Sequence, residues 1–239
     1  MYWGSIINTS GYGITLLSDL NILENLTGTN LTIDGLYNTY LSGNLTIVSL
    51  ISGTSTIILT GTGTWTGGNA SINITINTSG TVTISGTVTY TTGTLTYING
   101  KVITKGSTLN LTSTSTLINC HKINFNNIVI TAGTTITMNE FFNGSPGLKT
   151  NISSTTTSNY TIAFQDGFEK IAKFVNIDNC TLSKPQQLLV ITNSPKSSTN
   201  TRGIRYINQS PNGIAKGDAS VANTMTFGTS GILSDPNMR

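Results

Sequence analysis

Charge is what this chain has least of. Asp, Glu, Lys and Arg make up 9% of its 239 residues, against roughly 25% in an ordinary soluble domain. Residues 35–100 carry none at all, and the first Lys or Arg is Lys101. Only Asp19, Glu24 and Asp34 are charged in the first hundred residues, so the net +3 conceals a weakly acidic first part and a basic remainder. Those cations are scattered and not interleaved with aromatics, which argues against a nucleic-acid partner. No run approaches the ~18 apolar residues of a membrane helix, so membrane insertion is not expected. The first residues, MYWGSIINTSGYG, show neither a basic leader nor an apolar h-region. Exit by lysis, a special route or a leader outside this chain would each fit.

Metal-binding and nucleophilic residues are scarce too. There are two cysteines and one histidine. A zinc-type site needs three or four ligands at set spacings. His121 beside Cys120, with Cys180 far off, falls short, and no metal or cofactor is implied. Adjacent residues on a strand face opposite ways, so Cys120 and His121 do not form a nucleophile–base pair. Apolar residues are also few, at 36%; Thr, Ser, Asn and Gly fill the gap. Such a surface is wetted by hydroxyls and amides, which suits a protein that packs against copies of itself or works outside a cell. The length is sufficient for one sizeable core.

What is present is a short strand written over and over. Residues 80–100 read GTVTISGTVTYTTGTLTYING, with glycines at 80, 86, 93 and 100. The alternation puts Val82, Ile84, Val88, Tyr90, Leu95 and Tyr97 on one side and threonines on the other, a period-two strand signal. Similar pieces recur on both sides: NLTID, NLTIV, STIIL, INITIN, STLNLT, STLIN, INFNNIVIT and TTITMN. Many short strands with regular turns fit either an antiparallel β-sandwich or a parallel β-solenoid. Only Asn99-Gly100 suits a tight hairpin, and four-residue strands are short for a sandwich. The expectation is therefore an all-β parallel β-helix, or β-solenoid, with glycines at its corners. At ~20–24 residues per turn and ~4.8 Å per strand it would make about ten turns, on the order of 50 Å long.

Three segments follow. Residues 1–24 read as an N-terminal cap, with Tyr2, Trp3 and Tyr12 as a plug over the exposed end. Residues 25–192 read as the solenoid. Within them a short helix is expected to begin near 164, Asp166 and Glu169 forming a capping box, with KFVNIDNCTL as a further turn and LLVIT as a buried strand. Residues 193–239 read as a less regular C-terminal cap or assembly segment.

The stretches NLTI, GTGTWTGG and INITINTSGTVTISGTVTYTTGTLTYI resemble right-handed β-helix surface proteins of phage and virus virions, and bacterial adhesins of the filamentous-haemagglutinin kind. The likeness covers residues 25–140, and the tail GIRYINQSPNGIAKGDASVANTMTFG is similar to the ends of virion proteins. The resemblance implies a structural or attachment role, and it carries no functional residue across.

Candidate sites are weighed on that scaffold. Polysaccharide-degrading β-helices need clustered carboxylates; here Asp166 with Glu169, or Asp178 with Glu169, could pair, the simpler reading being solvated side chains. Glu140 beside Phe141 and Phe142 could line an aromatic sugar cleft. Trp65, Tyr37, Tyr40 and Phe141 are candidate glycan contacts. Arg202, Arg205, Tyr206 and Lys216 are a candidate assembly surface. Cys120 and Cys180 lie two to three turns apart, too far for a disulfide, and are expected as free buried thiols. Thr-x-Thr pairs, of the kind that ice-binding solenoids array on one face, fall within 81–96 on three different faces. The many Asn-x-Ser/Thr sequons, Asn25, Asn44 and Asn151 among them, are read as Asn ladders inside the coil before glycan acceptors.

The function expected is a non-enzymatic structural subunit of an extracellular assembly: a virion fibre, tail or capsid-surface protein. It would assemble with copies of itself or with other virion proteins, and would be found in the virion or at the cell surface. The alternatives are an adhesin that meets host glycans and a polysaccharide-degrading enzyme.

Overall fold

The computed structural model describes residues 1–104, 106–145, 148–165, 169–184, 187–192, 203–209, 215–219 and 224–226, with backbone alone from 205 onward. It is an all-β parallel solenoid of about nine turns. Twenty strands join one continuous sheet in which every pairing is parallel, so the antiparallel sandwich is ruled out as the architecture of this sheet. At the usual strand spacing, nine turns make a rod of about 40 Å.

The sheet winds over three faces. One stacks Tyr2–Trp3, Leu20–Ile22, Asn38–Leu41 and the end of Leu50–Leu59, and continues turn by turn to Tyr160–Phe164 and Cys180–Leu182. The second begins with Ile6–Asn8, Asn25–Gly28, Asn44–Ile47 and Gly63–Thr66. The third runs from Gly13–Thr15 and Leu31–Asp34 to Thr150–Ser154 and Val175–Ile177. The short strands expected around residues 80–100 merge into two long ones, Asn69–Ser85 and Thr87–Ile103, which bend around the corners through register shifts.

Alternation decides what goes inside. Val82, Ile84, Val88, Tyr90 and Leu95 are buried, and each stacks on an apolar neighbour of the adjacent turns. A fully buried Leu or Ile is worth roughly 1.5–3 kcal/mol, so this internal column outweighs any surface contact. The buried Tyr90 hydroxyl finds a carbonyl, donating to Ile72 O at 2.6 Å. Corners are tight. Gly53 has φ +131°, and a Cβ there would lie 2.0 Å from the Ile33 carbonyl oxygen of the preceding turn. Only glycine fits such a conformation and approach.

Turn length varies along the coil, from 17 residues between Thr56 and Asn73 to 26 between Thr135 and Thr161. Ser55 reaches the Tyr37 carbonyl 18 residues back, whereas Asn176 reaches Asn151 25 residues back. The wider turns are filled by Phe125, Phe141, Phe142 and Phe164, in edge-on contact with ring centroids 6.2–6.4 Å apart. Edge-on packing is the favoured arrangement of aromatic rings.

Residues 1–24 contribute the first turn, pairing from Tyr2 onward with the turn above. Tyr2, Trp3 and Tyr12 are exposed, and Trp3 lines a cavity at that end. The helix expected near 164 is not formed by the described residues there: Glu169–Lys173 is a strand, paired in parallel with Leu188–Thr192. Asp166 lies outside the described residues. The ladder partner overrides the local helical signal. KFVNIDNCTL does form a further turn, in Val175–Ile177 and Cys180–Leu182, and Leu188–Thr192 is a buried strand. A second sheet of five strands adds Ile204–Gln209 in parallel, then Ala215–Ala219 and Thr224–Thr226 antiparallel. Apart from Gly203, the rest of 193–239 lies outside the described residues. No helix among the described residues is long and apolar enough to cross a membrane.

Candidate functional site

One corner gathers most of the rod's described ionic contacts. It follows the first face in successive turns and holds Tyr97, His121, Lys122, Glu140 and Lys170. Asn119 opens it in the left-handed conformation, φ 57°, which a short amide side chain tolerates. Its N–H donates to Asn139 Oδ1 at 2.8 Å, and Asn139 Nδ2 donates back to Asn119 Oδ1 at 2.8 Å. This two-way clamp ties consecutive turns together. A single 3-10 turn, Cys120–Lys122, then buries Cys120 and leaves His121 and Lys122 toward the surface.

The charged groups are held by partners 20–30 residues away. Lys122 Nζ sits 5.8 Å from the centre of the Tyr97 ring, within cation–π range, while the Tyr97 hydroxyl donates to the Gly100 carbonyl at 2.6 Å. Lys170 Nζ meets Glu140 Oε1 at 3.0 Å. Burial holds His121 below its ordinary value; Glu140 pulls it back up, and Lys122 and Lys170 push it further down. Its Nδ1 is buried and makes no hydrogen bond. A neutral imidazole, two cations and one carboxylate thus share the corner, with the carboxylate already engaged by Lys170.

The other candidates are dispersed. Glu169 is exposed on the second sheet, and Asp178 follows Val175–Ile177 in the main coil, its N–H bonded to the Ile152 carbonyl. Phe141 and Phe142 are buried in the aromatic layer, so Glu140 does not sit over an aromatic cleft. Trp65, expected as a surface contact, is 1% exposed and stacks between Leu45 and Ile84; Phe141 is likewise 1% exposed. Both point inward because they occupy inward positions of the coil. Tyr37 is exposed and Tyr40 is half-buried on the outside. Of the candidate assembly surface, Arg202 lies outside the described residues, and Arg205, Tyr206 and Lys216 lie in strands of the second sheet whose side chains are likewise outside them.

Cys120 and Cys180 are free and buried. Burial pushes both thiols up to about 12, which suppresses the reactive thiolate. Among the described residues no group of three or more His, Cys, Asp or Glu could hold a metal ion. Asn ladders exist, but on the outer surface and not in the core. Asn44 Nδ2 donates to Asn25 Oδ1 at 2.8 Å, and Asn127, Asn151 and Asn176 form a chain at 3.4 and 2.9 Å.

Sequence reading missed the Asn119–Asn139 clamp and the Lys170–Glu140 and Lys122–Tyr97 contacts. Their only signal is separation by about one turn, which becomes informative once the turn length is known at that place. Comparison of the chain with protein-family profiles, with curated proteins and with solved structures finds no match in any of the three.

Proposed function

We propose that this protein is a structural subunit of an extracellular assembly, such as a virion fibre, tail or capsid-surface protein. The observation that carries the reading is the unbroken parallel ladder of about nine turns around one apolar column. Such a coil is stiff along its axis, and its outside is dominated by short uncharged side chains. Faces of that kind pack closely without the cost of desolvating ions. The ionic corner fits a stitching role between turns, since its carboxylate is already bound to a lysine.

The test is the assembly state of the purified chain. Sedimentation and electron microscopy are expected to show a defined oligomer or fibre. A monomer at all concentrations that binds host glycans with micromolar affinity would replace this reading with the adhesin. That second reading keeps Tyr37 and Tyr40, which remain on the surface near each other in the chain.

A further inference from the structure

Asn-Gly occurs in the chain at 99–100, 143–144 and 212–213. The pair is chemically labile, because glycine carries no side chain to shield its nitrogen from the preceding asparagine. The last pair lies outside the described residues. The fold treats the other two oppositely. Asn143 is locked: its Oδ1 accepts the Lys173 N–H at 2.9 Å, and the Gly144 N–H donates to the Lys173 carbonyl at 2.9 Å. Both groups that would react, the side-chain amide and the following nitrogen, are held by one residue of another strand. Asn99 is loose. It is exposed, and its side chain makes no hydrogen bond among the described residues. The ladder also slips there. Asn77 pairs with Asn99 and Thr81 with Lys101, so Thr78, Ser79 and Gly80 stand against Gly100 alone. The glycine is fixed by space: at φ +114° a Cβ would collide with Thr78 Cγ2. The corner therefore cannot shield the site by carrying a larger residue at 100.

We propose that Asn99 is a site of spontaneous deamidation, with water as the co-reactant, and that the fold protects Asn143 from the same reaction. The first step is intramolecular, which favours it. The Gly100 backbone nitrogen attacks Asn99 Cγ and closes a cyclic succinimide. The Cγ–Nδ2 bond breaks, and Nδ2 leaves as ammonia with the proton that the glycine nitrogen gives up. Water then opens the ring. Cleavage at Cγ gives aspartate. Cleavage at the Asn99 main-chain carbonyl gives isoaspartate, whose backbone runs through Cβ and is one methylene longer. A bulged corner absorbs that extra length, where a regular ladder would lose its register. One new carboxylate takes the net charge from +3 to +2 and gives the stretch 35–100 its first charge, two positions from Lys101. The modification belongs to the single coil and does not depend on the assembly reading above.

The test compares the two sites within one chain. The native protein is held in warm, mildly alkaline buffer made with heavy-oxygen water. Samples are digested at intervals under mildly acidic conditions, which stop the reaction, and the peptides are mapped by mass. Asn99 is expected to exchange its amide for a labelled carboxylate about tenfold faster than Asn143 or more, the ratio that one net hydrogen bond supports. In guanidinium the protection is gone, and the two sites should react at similar rates. An Asn99 that stays unmodified in the native chain, or an Asn143 that reacts as fast, would overturn the proposal. So would a difference that persists in guanidinium, since the fold would then not be its cause. The oligomeric state of the same samples, read by sedimentation, reports separately on the structural reading.

Discussion

Lys170 reaches across a turn of the coil to Glu140, Nζ to Oε1 at 3.0 Å. The lysine side chain is 10% exposed and the glutamate side chain 45%, so the pair is buried on one side and screened on the other. Glu140→Gln keeps an acceptor and removes the countercharge. We expect a loss of about 1 kcal/mol at low salt, shrinking at high salt. Denaturant titrations of wild type and variant at two ionic strengths measure this; equal stabilities at low salt would show that the pair contributes nothing.

His121 in the same corner predicts a pH dependence. Its folded-state value is held below the ordinary 6.5 by burial. The unfolded chain therefore takes up the proton first as pH falls. The stability due to the neutral imidazole is fully present above about pH 6.5 and declines below it, until the folded protein is protonated as well. Melting temperatures between pH 7 and 5 should fall more steeply for wild type than for His121→Gln. Parallel profiles would remove His121 as the cause.

The two thiols should be silent until the chain unfolds. Both are raised from 9.0 to about 12 by burial. Alkylation near pH 8 is expected to modify neither in the native state and both in guanidinium. The same shift means that stability declines above about pH 9, where the unfolded chain releases these protons and the folded one retains them. Rapid native labelling would contradict the burial.

Thr39 faces inward between Leu20 and Ile57, fully buried, with no hydrogen bond to its hydroxyl. An unsatisfied buried hydroxyl costs about 1–3 kcal/mol. Thr39→Val keeps the shape and removes that cost, so its melting temperature should rise. A fall would mean that the hydroxyl has a partner.

Gly53→Ala should act in the opposite direction. Its positive φ alone costs a side chain about 1–3 kcal/mol, and the new Cβ would press on the Ile33 carbonyl. A stability loss at or above that range is expected in thermal melts, and an unchanged melting temperature would mean that this corner relaxes freely.

The coil itself was legible because it is written in period two. The T-V-T-I pattern puts Val82 and Ile84 inside with no reference to distant residues. Gly86, Gly93 and Gly100 all take positive φ, as corner glycines should, although Gly80 does not. The same pattern could have placed Trp65, since GTWT repeats the alternation of GTVT; its size drew attention to a surface role that its position denies. The ionic corner was not legible. Asn119 and Asn139 meet because the turn there is 20 residues long, while turns elsewhere range from 17 to 26. No local pattern encodes that register. The false helix near 164 has the same origin, for the strand partner of Glu169–Lys173 lies at 188–192.

The spread from 17 to 26 residues per turn also tells where this architecture accepts growth. Extra residues lodge at the vertices, where the backbone already bends and the register already slips. Within a ladder, one inserted residue would swap the inner and outer side chains of its whole strand. Length can therefore drift at the corners while the flat segments stay fixed, so the girth of the molecule is free to vary and its axial repeat is not.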